Sequence, residues 1–247
     1  MRIAIVVDDR SVASEMMEAL TADGDTCHAL PDAKAFLHAL PRESFDTCII
    51  DVSQPTLSGP ALVRLVRERK QSVPALMLAS RDSELEIINA LGSGNDDFLV
   101  KPVRPGELRA RLRAMVRRAM PGRADGDSFE YDRFEFNLKT LEVKDRGREV
   151  DLTQKEFQLA MLLLSNVGKP LSRGHIREAV WGRNSEVPSR TLDTHVSRVR
   201  TKLSLRPESG YLLAPVYSYG YRLEHLQARA EPVEKAVSAA LAGAAAR

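Results

Sequence analysis

Apolar and polar positions in the first half of the chain alternate between two periods. Short apolar runs, RIAIVV (2–7), DTCHAL (25–30), DTCIID (46–51), PALMLA (74–79) and DDFLVK (96–101), are separated by stretches of helical spacing such as SEMMEAL (14–20) and GPALVRLVRERK (59–70). Strands that alternate with helices predict an α/β doubly wound domain on a five-stranded parallel sheet. The runs at 2–7 and 46–50 are nearly continuous, as strands covered by helices on both faces should be.

The pattern changes after residue 119. Residues 120–127 are rich in Pro, Gly and small polar residues and read as a linker. FEYDRFEFN (129–137) and TLEVKDRGREVDL (140–152) then alternate with period two, and DRG predicts a hairpin turn. Three helical segments and a hairpin near 211–223 follow, which predicts an α+β domain. Thr153 and Glu156 form a T-x-x-E capping box. Ser172 is placed to cap the next helix, Gly182 to end it, and Ser189 to cap a third. On that helix Leu192, Val196, Val199 and Leu203 form one apolar stripe. The predicted partition is residues 1–119, a linker at 120–127, a second domain at 128–225 and an Ala-rich tail at 226–247, for which a helix and a frayed end are equally consistent.

Composition narrows the function. Lys and Arg total 36 against 34 Asp and Glu, a formal net charge of +2, so any nucleic-acid contact has to come from a local patch. That patch is visible at 189–206, where Arg190, Arg198, Arg200, Lys202 and Arg206 face a single acid, Asp193. No apolar run approaches the ~18 residues of a membrane helix, and the N-terminus lacks a signal-peptide pattern, which predicts a cytoplasmic location. The cysteines, Cys27 and Cys48, lie in strand-like runs and read as reduced, buried thiols. Histidines are absent at the i,i+3 and i,i+4 spacings of a zinc site.

The chemistry concentrates at the strand ends, where doubly wound sheets bind ligands. The first strand ends in Asp8 and Asp9, the third in Asp51 and the fifth in Lys101 followed by Pro102. Each aspartate alone also suits a helix cap. Together, three carboxylates on one sheet edge predict a hard divalent cation. One acid is then left to serve as a nucleophile toward phosphorus, with Lys101 neutralising a phosphoryl oxygen.

These residues, with Pro55, Gly59 and the run GNDDFLVKP (94–102), make the first 118 residues resemble a response-regulator receiver domain. The resemblance implies that Asp51 is the phosphoacceptor, that Asp8, Asp9, Asp51 and the carbonyl of Ser53 hold Mg²⁺, that Lys101 contacts the phosphoryl group, and that a sensor histidine kinase is the donor. It also implies a homodimer through Ile87, Asp96, Asp97, Glu107 and Arg111. Three positions depart from the family. Ala79 stands where a Thr or Ser hydroxyl is usual, Phe98 where a Tyr is usual, and Arg10 where a third acid is usual. The pocket for phosphorylation is therefore complete, while its coupling to a conformational change lacks the family's hydroxyl.

On the third helix of the second domain, Arg190, Thr194, Ser197 and Thr201 lie opposite the apolar stripe, with Arg198 beside them and His195, Arg200 and Lys202 at the flanks. A solvated amphipathic helix and a major-groove reading helix account equally for that composition. The strings LTQKEFQLAMLLL (152–164), LSRGHIREAVWG (171–182), RTLDTHVSRVRTKL (190–203) and YGYRL (219–223) are similar to the winged helix-turn-helix domain of the OmpR/PhoB subfamily. The resemblance implies double-stranded DNA as partner, in direct-repeat half-sites. It implies base or phosphate contacts from the residues just named and from Tyr217 in the wing, and an RNA polymerase contact through 182–189. Tyr217 replaces the family's wing Arg, so the wing brings no charge to the groove.

The combined reading is a two-component response regulator rather than an enzyme. The alternative is the same DNA-binding architecture working without phosphorylation, supported by Ala79 and Phe98. A phosphohydrolase using Asp51 would need a second acid two positions on, where Ser53 stands.

Overall fold

The structure is a computed structural model that describes residues 1–53, 57–69, 73–80, 88, 94–183 and 187–226. Pro55, Ile87 and nearly all of the tail lie outside the described residues.

Five parallel strands, β1 (Arg2–Val6), β2 (Thr26–Leu30), β3 (Thr47–Asp51), β4 (Ala75–Ala79) and β5 (Asp97–Val100), form a sheet of order β2-β1-β3-β4-β5. The doubly wound prediction holds, and alternation of side chains explains it. Ile3, Ile5, Ile49, Leu76 and Leu78 face one side, where α1 (Arg10–Thr21) and α4 (Pro105–Ala119) cover them. Ala4, Val6, Cys48, Ile50 and Met77 face the other, under α2 (Ala33–Ala39) and α3 (Gly59–Glu68). Both faces are buried, so the sequence shows apolar runs where a half-exposed strand would alternate. Cys27 and Cys48 are buried free thiols on opposite faces, and burial pushes the Cys48 thiol up to about 12.

The second half opens on an antiparallel sheet of order β10-β9-β8-β7-β6, with β6 at Arg123–Asp125, β7 at Ser128–Tyr131, β8 at Phe134–Asn137, β9 at Glu142–Asp145 and β10 at Arg148–Val150. The predicted linker is therefore corrected, because residues 123–125 pair with 128–130 as an edge strand. Gly122 is a close-approach residue here, since a Cβ on it would lie 2.4 Å from the Glu130 carbonyl oxygen.

Helices α5 (Gln154–Leu164), α6 (Arg173–Trp181) and α7 (Ser189–Lys202) follow, with β11 (Pro170–Ser172), β12 (Tyr211–Val216) and β13 (Gly220–His225) forming a sheet of order β11-β13-β12. The capping box at Thr153 and Glu156 forms as predicted, and Ser172 caps α6 by accepting from the His175 N–H at 3.1 Å. Leu192, Val196, Val199 and Leu203 are buried in one core with Phe129, Phe134, Phe157 and Ile176. Ser189 is not the cap of α7. Pro188 takes that position and Ser189 begins the helix. A proline before the first turn loses no hydrogen bond, and the Ser189 hydroxyl is already engaged by Arg173 at 2.8 Å.

Candidate functional site

Asp51 is the last residue of β3 and is 3% exposed at the carboxyl end of the sheet. Its Oδ1 accepts the Ser53 N–H at 3.1 Å, and its Oδ2 accepts from the Lys101 ammonium. Lys101 is positioned by its backbone, whose N–H donates to the Ala79 carbonyl at 2.9 Å. Gly59 lets α3 start against this strand end, because a Cβ there would meet the Asp51 carbonyl oxygen at 2.8 Å. Ala79 is fully buried and offers no hydroxyl to the site.

Asp8 and Asp9 follow β1 beside β3, and both are exposed. Asp9 caps α1, with Oδ1 accepting from the N–H groups of Ser11 (2.8 Å) and Val12 (3.3 Å). Asp8 accepts the Asp9 N–H at 3.0 Å. The three carboxylates stand at the same edge of the sheet but have separate partners here, and among the described residues no group of three acidic, histidine or cysteine side chains is gathered around one point. Like charges separate, Asp51 takes Lys101 as its partner, and Asp9 turns to its own helix. The donor chemistry itself remains oxygen only, the kind a hard dication prefers. A buried carboxylate held by one half-buried ammonium is chemically able to act as a nucleophile toward phosphorus.

The charged positions on the face of β5 and α4 pair within the chain. Arg111 binds both oxygens of Asp97 at 3.2 Å and Oε1 of Glu107 at 2.9 Å. Asp96, the residue just before Asp97 at the amino start of β5, has separate partners, accepting from Arg67 (2.9 Å) and the Ala75 N–H (2.7 Å).

The exposed face of α7 carries Arg190, Thr194, Ser197, Arg198 and Thr201. Tyr217, at the turn between β12 and β13, is 96% exposed. Three other predicted contact residues have partners within the chain. His195 lies edge-on to Trp181 at 5.1 Å and bonds the Thr191 carbonyl at 2.8 Å. Arg200 donates to the Leu213 carbonyl at 2.8 Å, and Lys202 binds the buried Glu156 carboxylate at 2.8 Å. A buried carboxylate needs a cation, and the last turn of α7 supplies it. Burial pushes the Glu156 carboxyl up, but the bond and charge of Lys202 and the bonds from the Thr153 N–H and hydroxyl together outweigh this and hold it below its ordinary value.

Sequence reading missed the clamp that sets the angle of this helix. Arg173 bonds Ser189 Oγ (2.8 Å) and Asp193 Oδ1 (2.6 Å), and the Tyr221 hydroxyl donates to the same Asp193 oxygen at 2.6 Å. The available signal was Asp193 itself, the one acid in a basic segment.

The matches to known proteins agree with both halves. The response regulator receiver domain family matches residues 3–113, and the C-terminal domain family of transcriptional regulatory proteins matches residues 147–223. The chain is 32% identical over 225 residues to sensory transduction protein RegX3 of Mycolicibacterium smegmatis, covering 90% of this chain and 98% of that protein. It is 32% identical over 228 residues to response regulator protein PmrA of Pseudomonas aeruginosa, covering 91% and 98%. It is 33% identical over 224 residues to response regulator MprA of Mycobacterium leprae, covering 90% and 98%. The chain belongs to the OmpR/PhoB-type response regulators. It is a two-component response regulator with a receiver domain and a DNA-binding domain. A receiver domain implies a histidine-kinase partner, and the C-terminal domain implies DNA binding. No helix among the described residues is long and apolar enough to cross a membrane.

Proposed function

We propose that Asp51 is the phosphoacceptor through which a sensor histidine kinase controls DNA binding by this chain in the cytoplasm. The observation that carries this reading is the buried Asp51 carboxylate at the carboxyl edge of the sheet, paired with the Lys101 ammonium. A carboxylate oxygen of Asp51 attacks the phosphorus, an O–P bond forms, and the bond to the donor breaks with its electron pair leaving on the donor. Lys101 then shifts its charge from the carboxylate to the phosphoryl oxygens. Asp8, Asp9, Asp51 and the Ser53 carbonyl are the oxygen donors for Mg²⁺, which supplies charge neutralisation when bound.

On the output side, Arg198 and Thr194 supply base contacts, while Arg190, Ser197, Thr201 and Tyr217 contact phosphate and sugar. Their exposure on one helix face and one wing tip supports that assignment. The active form is a homodimer through the face of Asp97, Glu107 and Arg111, whose internal ion pairs are available to exchange between copies. It binds direct-repeat half-sites and meets RNA polymerase through residues 182–189.

The test is a titration of operator DNA at fixed salt, with and without a small phosphodonor and Mg²⁺. The expected result is tighter binding on phosphorylation, lost in Asp51→Ala. A second reading, control without phosphorylation, is favoured by Ala79, which leaves the end of β4 without a hydroxyl. Equal binding by wild type and Asp51→Ala under both conditions would establish it.

A further inference from the structure

Charge is also concentrated at the amino end of the receiver sheet, and there it crosses to the second domain. Arg2 opens β1 and is only 5% exposed. Its Nε lies 2.8 Å from Glu178 Oε2 on α6 and 3.1 Å from His28 Nε2, and its Nη1 donates to Glu43 Oε2 and the Ser44 carbonyl, both at 2.8 Å. The guanidinium stacks over Phe45 at 5.0 Å. Residues 43–46, just before β3, enter the N-terminal turn of α6. There the Ser172 N–H donates to Ser44 Oγ (2.8 Å), the Ser172 hydroxyl to Glu43 Oε2 (3.0 Å), and His175 Nδ1 lies 2.9 Å from Ser44 Oγ. His175 is 1% exposed, with Asp46 3.4 Å from its Nε2. Gly174 leaves the space that Glu43 occupies, since a Cβ on it would lie 2.7 Å from Glu43 Oε2.

Exposed ion pairs between loosely tethered domains contribute little. A nearly buried guanidinium bonded to carboxylates from both domains is a different object, because water screens it little and one group is held by both domains at once. The reading helix is untouched by this contact: Arg190, Thr194, Ser197 and Arg198 remain exposed while the domains are joined.

We propose that Arg2 and residues 43–46 form an intramolecular docking site whose occupant is α6 of the same chain, and that this joint fixes the direction of the reading helix relative to the receiver. The joint stands on these contacts alone and does not depend on the DNA-binding dimer proposed above.

The experiment uses the full chain as wild type, Arg2→Ala, Glu178→Lys and the charge-swapped double variant Arg2→Glu with Glu178→Arg. Solution scattering reads the joint. Both single variants are expected to show a larger radius of gyration, and the double variant to recover part of the wild-type value. Unchanged scattering in folded single variants would overturn the joint. Gly174→Ala, which favours helix within α6 while crowding Glu43, gives an independent arm should Arg2→Ala fail to fold.

Discussion

The two ends of the receiver sheet hold the same kinds of groups in opposite conditions. At the carboxyl end, Asp51 has one ammonium partner and Asp8 and Asp9 lie open to solvent. At the amino end, Arg2 makes four polar contacts in a nearly closed space, and Asp46 is held between the Arg2 N–H at 2.7 Å and His175. Parallel strands place all their starts together and all their ends together, so both clusters follow from topology. The difference lies in saturation. Charges with too few partners form a reactive site, and charges fully partnered across a boundary form a joint.

Paired variants should separate the two most sharply. Arg2→Ala leaves the partly buried Glu178 without its guanidinium, beside a Glu43 that water screens, and should lower stability by about 1–3 kcal/mol, read as a drop in the urea midpoint. It should leave phosphate uptake intact. Asp51→Asn removes a buried carboxylate whose one cation, Lys101, is partly exposed and able to hydrate, so it should change stability by less than about 1 kcal/mol while abolishing phosphate uptake. Comparable destabilisation by both variants would erase the distinction.

Acid should attack the amino end first. Burial pushes Asp46 up, but the neighbouring His175 and the Arg2 N–H outweigh it and hold the carboxyl at about 2. A depressed carboxyl stabilises the fold fully above its ordinary value near 3.8 and loses that contribution as pH falls through about 2. The loss is on the order of 2 kcal/mol. Glu178 is also pushed up by burial, and Arg2 and His28 together more than offset this, so it adds in the same direction. His28 is held below its ordinary value by burial and by Arg2, so its contribution is present above about 6.5 and falls away toward acid. Urea unfolding between pH 7 and pH 2.5 should show this decline, reduced in Asp46→Asn.

Smaller effects belong to the reader and to the face of β5 and α4. Arg198→Ala should weaken specific operator binding about tenfold, roughly 1.4 kcal/mol, without lowering stability. Arg200→Ala should do the reverse, because its guanidinium holds the Leu213 carbonyl of β12. Arg111→Ala should cost the monomer no more than about 1 kcal/mol, since its ion pairs are half-exposed. Its effect should be visible in sedimentation of the phosphorylated chain.

The receiver fold and Asp51 were legible because strand ends are marked locally: an apolar run stops and an acid or lysine follows. The stripe of Leu192, Val196, Val199 and Leu203 was legible for the same reason, as period alone defines a buried face. The partners of Arg200 and Lys202 were not legible, because helical geometry says which way a side chain leaves the axis but not what waits at its tip. A buried Glu156, 46 positions earlier, decides the fate of Lys202. The joint was illegible throughout. Arg2 and Glu178 are 176 positions apart, and a charge at a strand start looks like an ordinary solvated end. Gly122 misled in the other direction, since close approach to a neighbouring strand and linker flexibility call for the same residue.

The most direct test of the account is the site of covalent phosphate. The full chain would be incubated with a small phosphodonor and Mg²⁺, and its intact mass and peptide map compared with those of Asp51→Ala. The account predicts one alkali-labile phosphoryl group on Asp51, absent from the variant and accompanied by tighter operator binding. A chain that takes no phosphate at Asp51, yet binds its operator as tightly as it ever does, would contradict it.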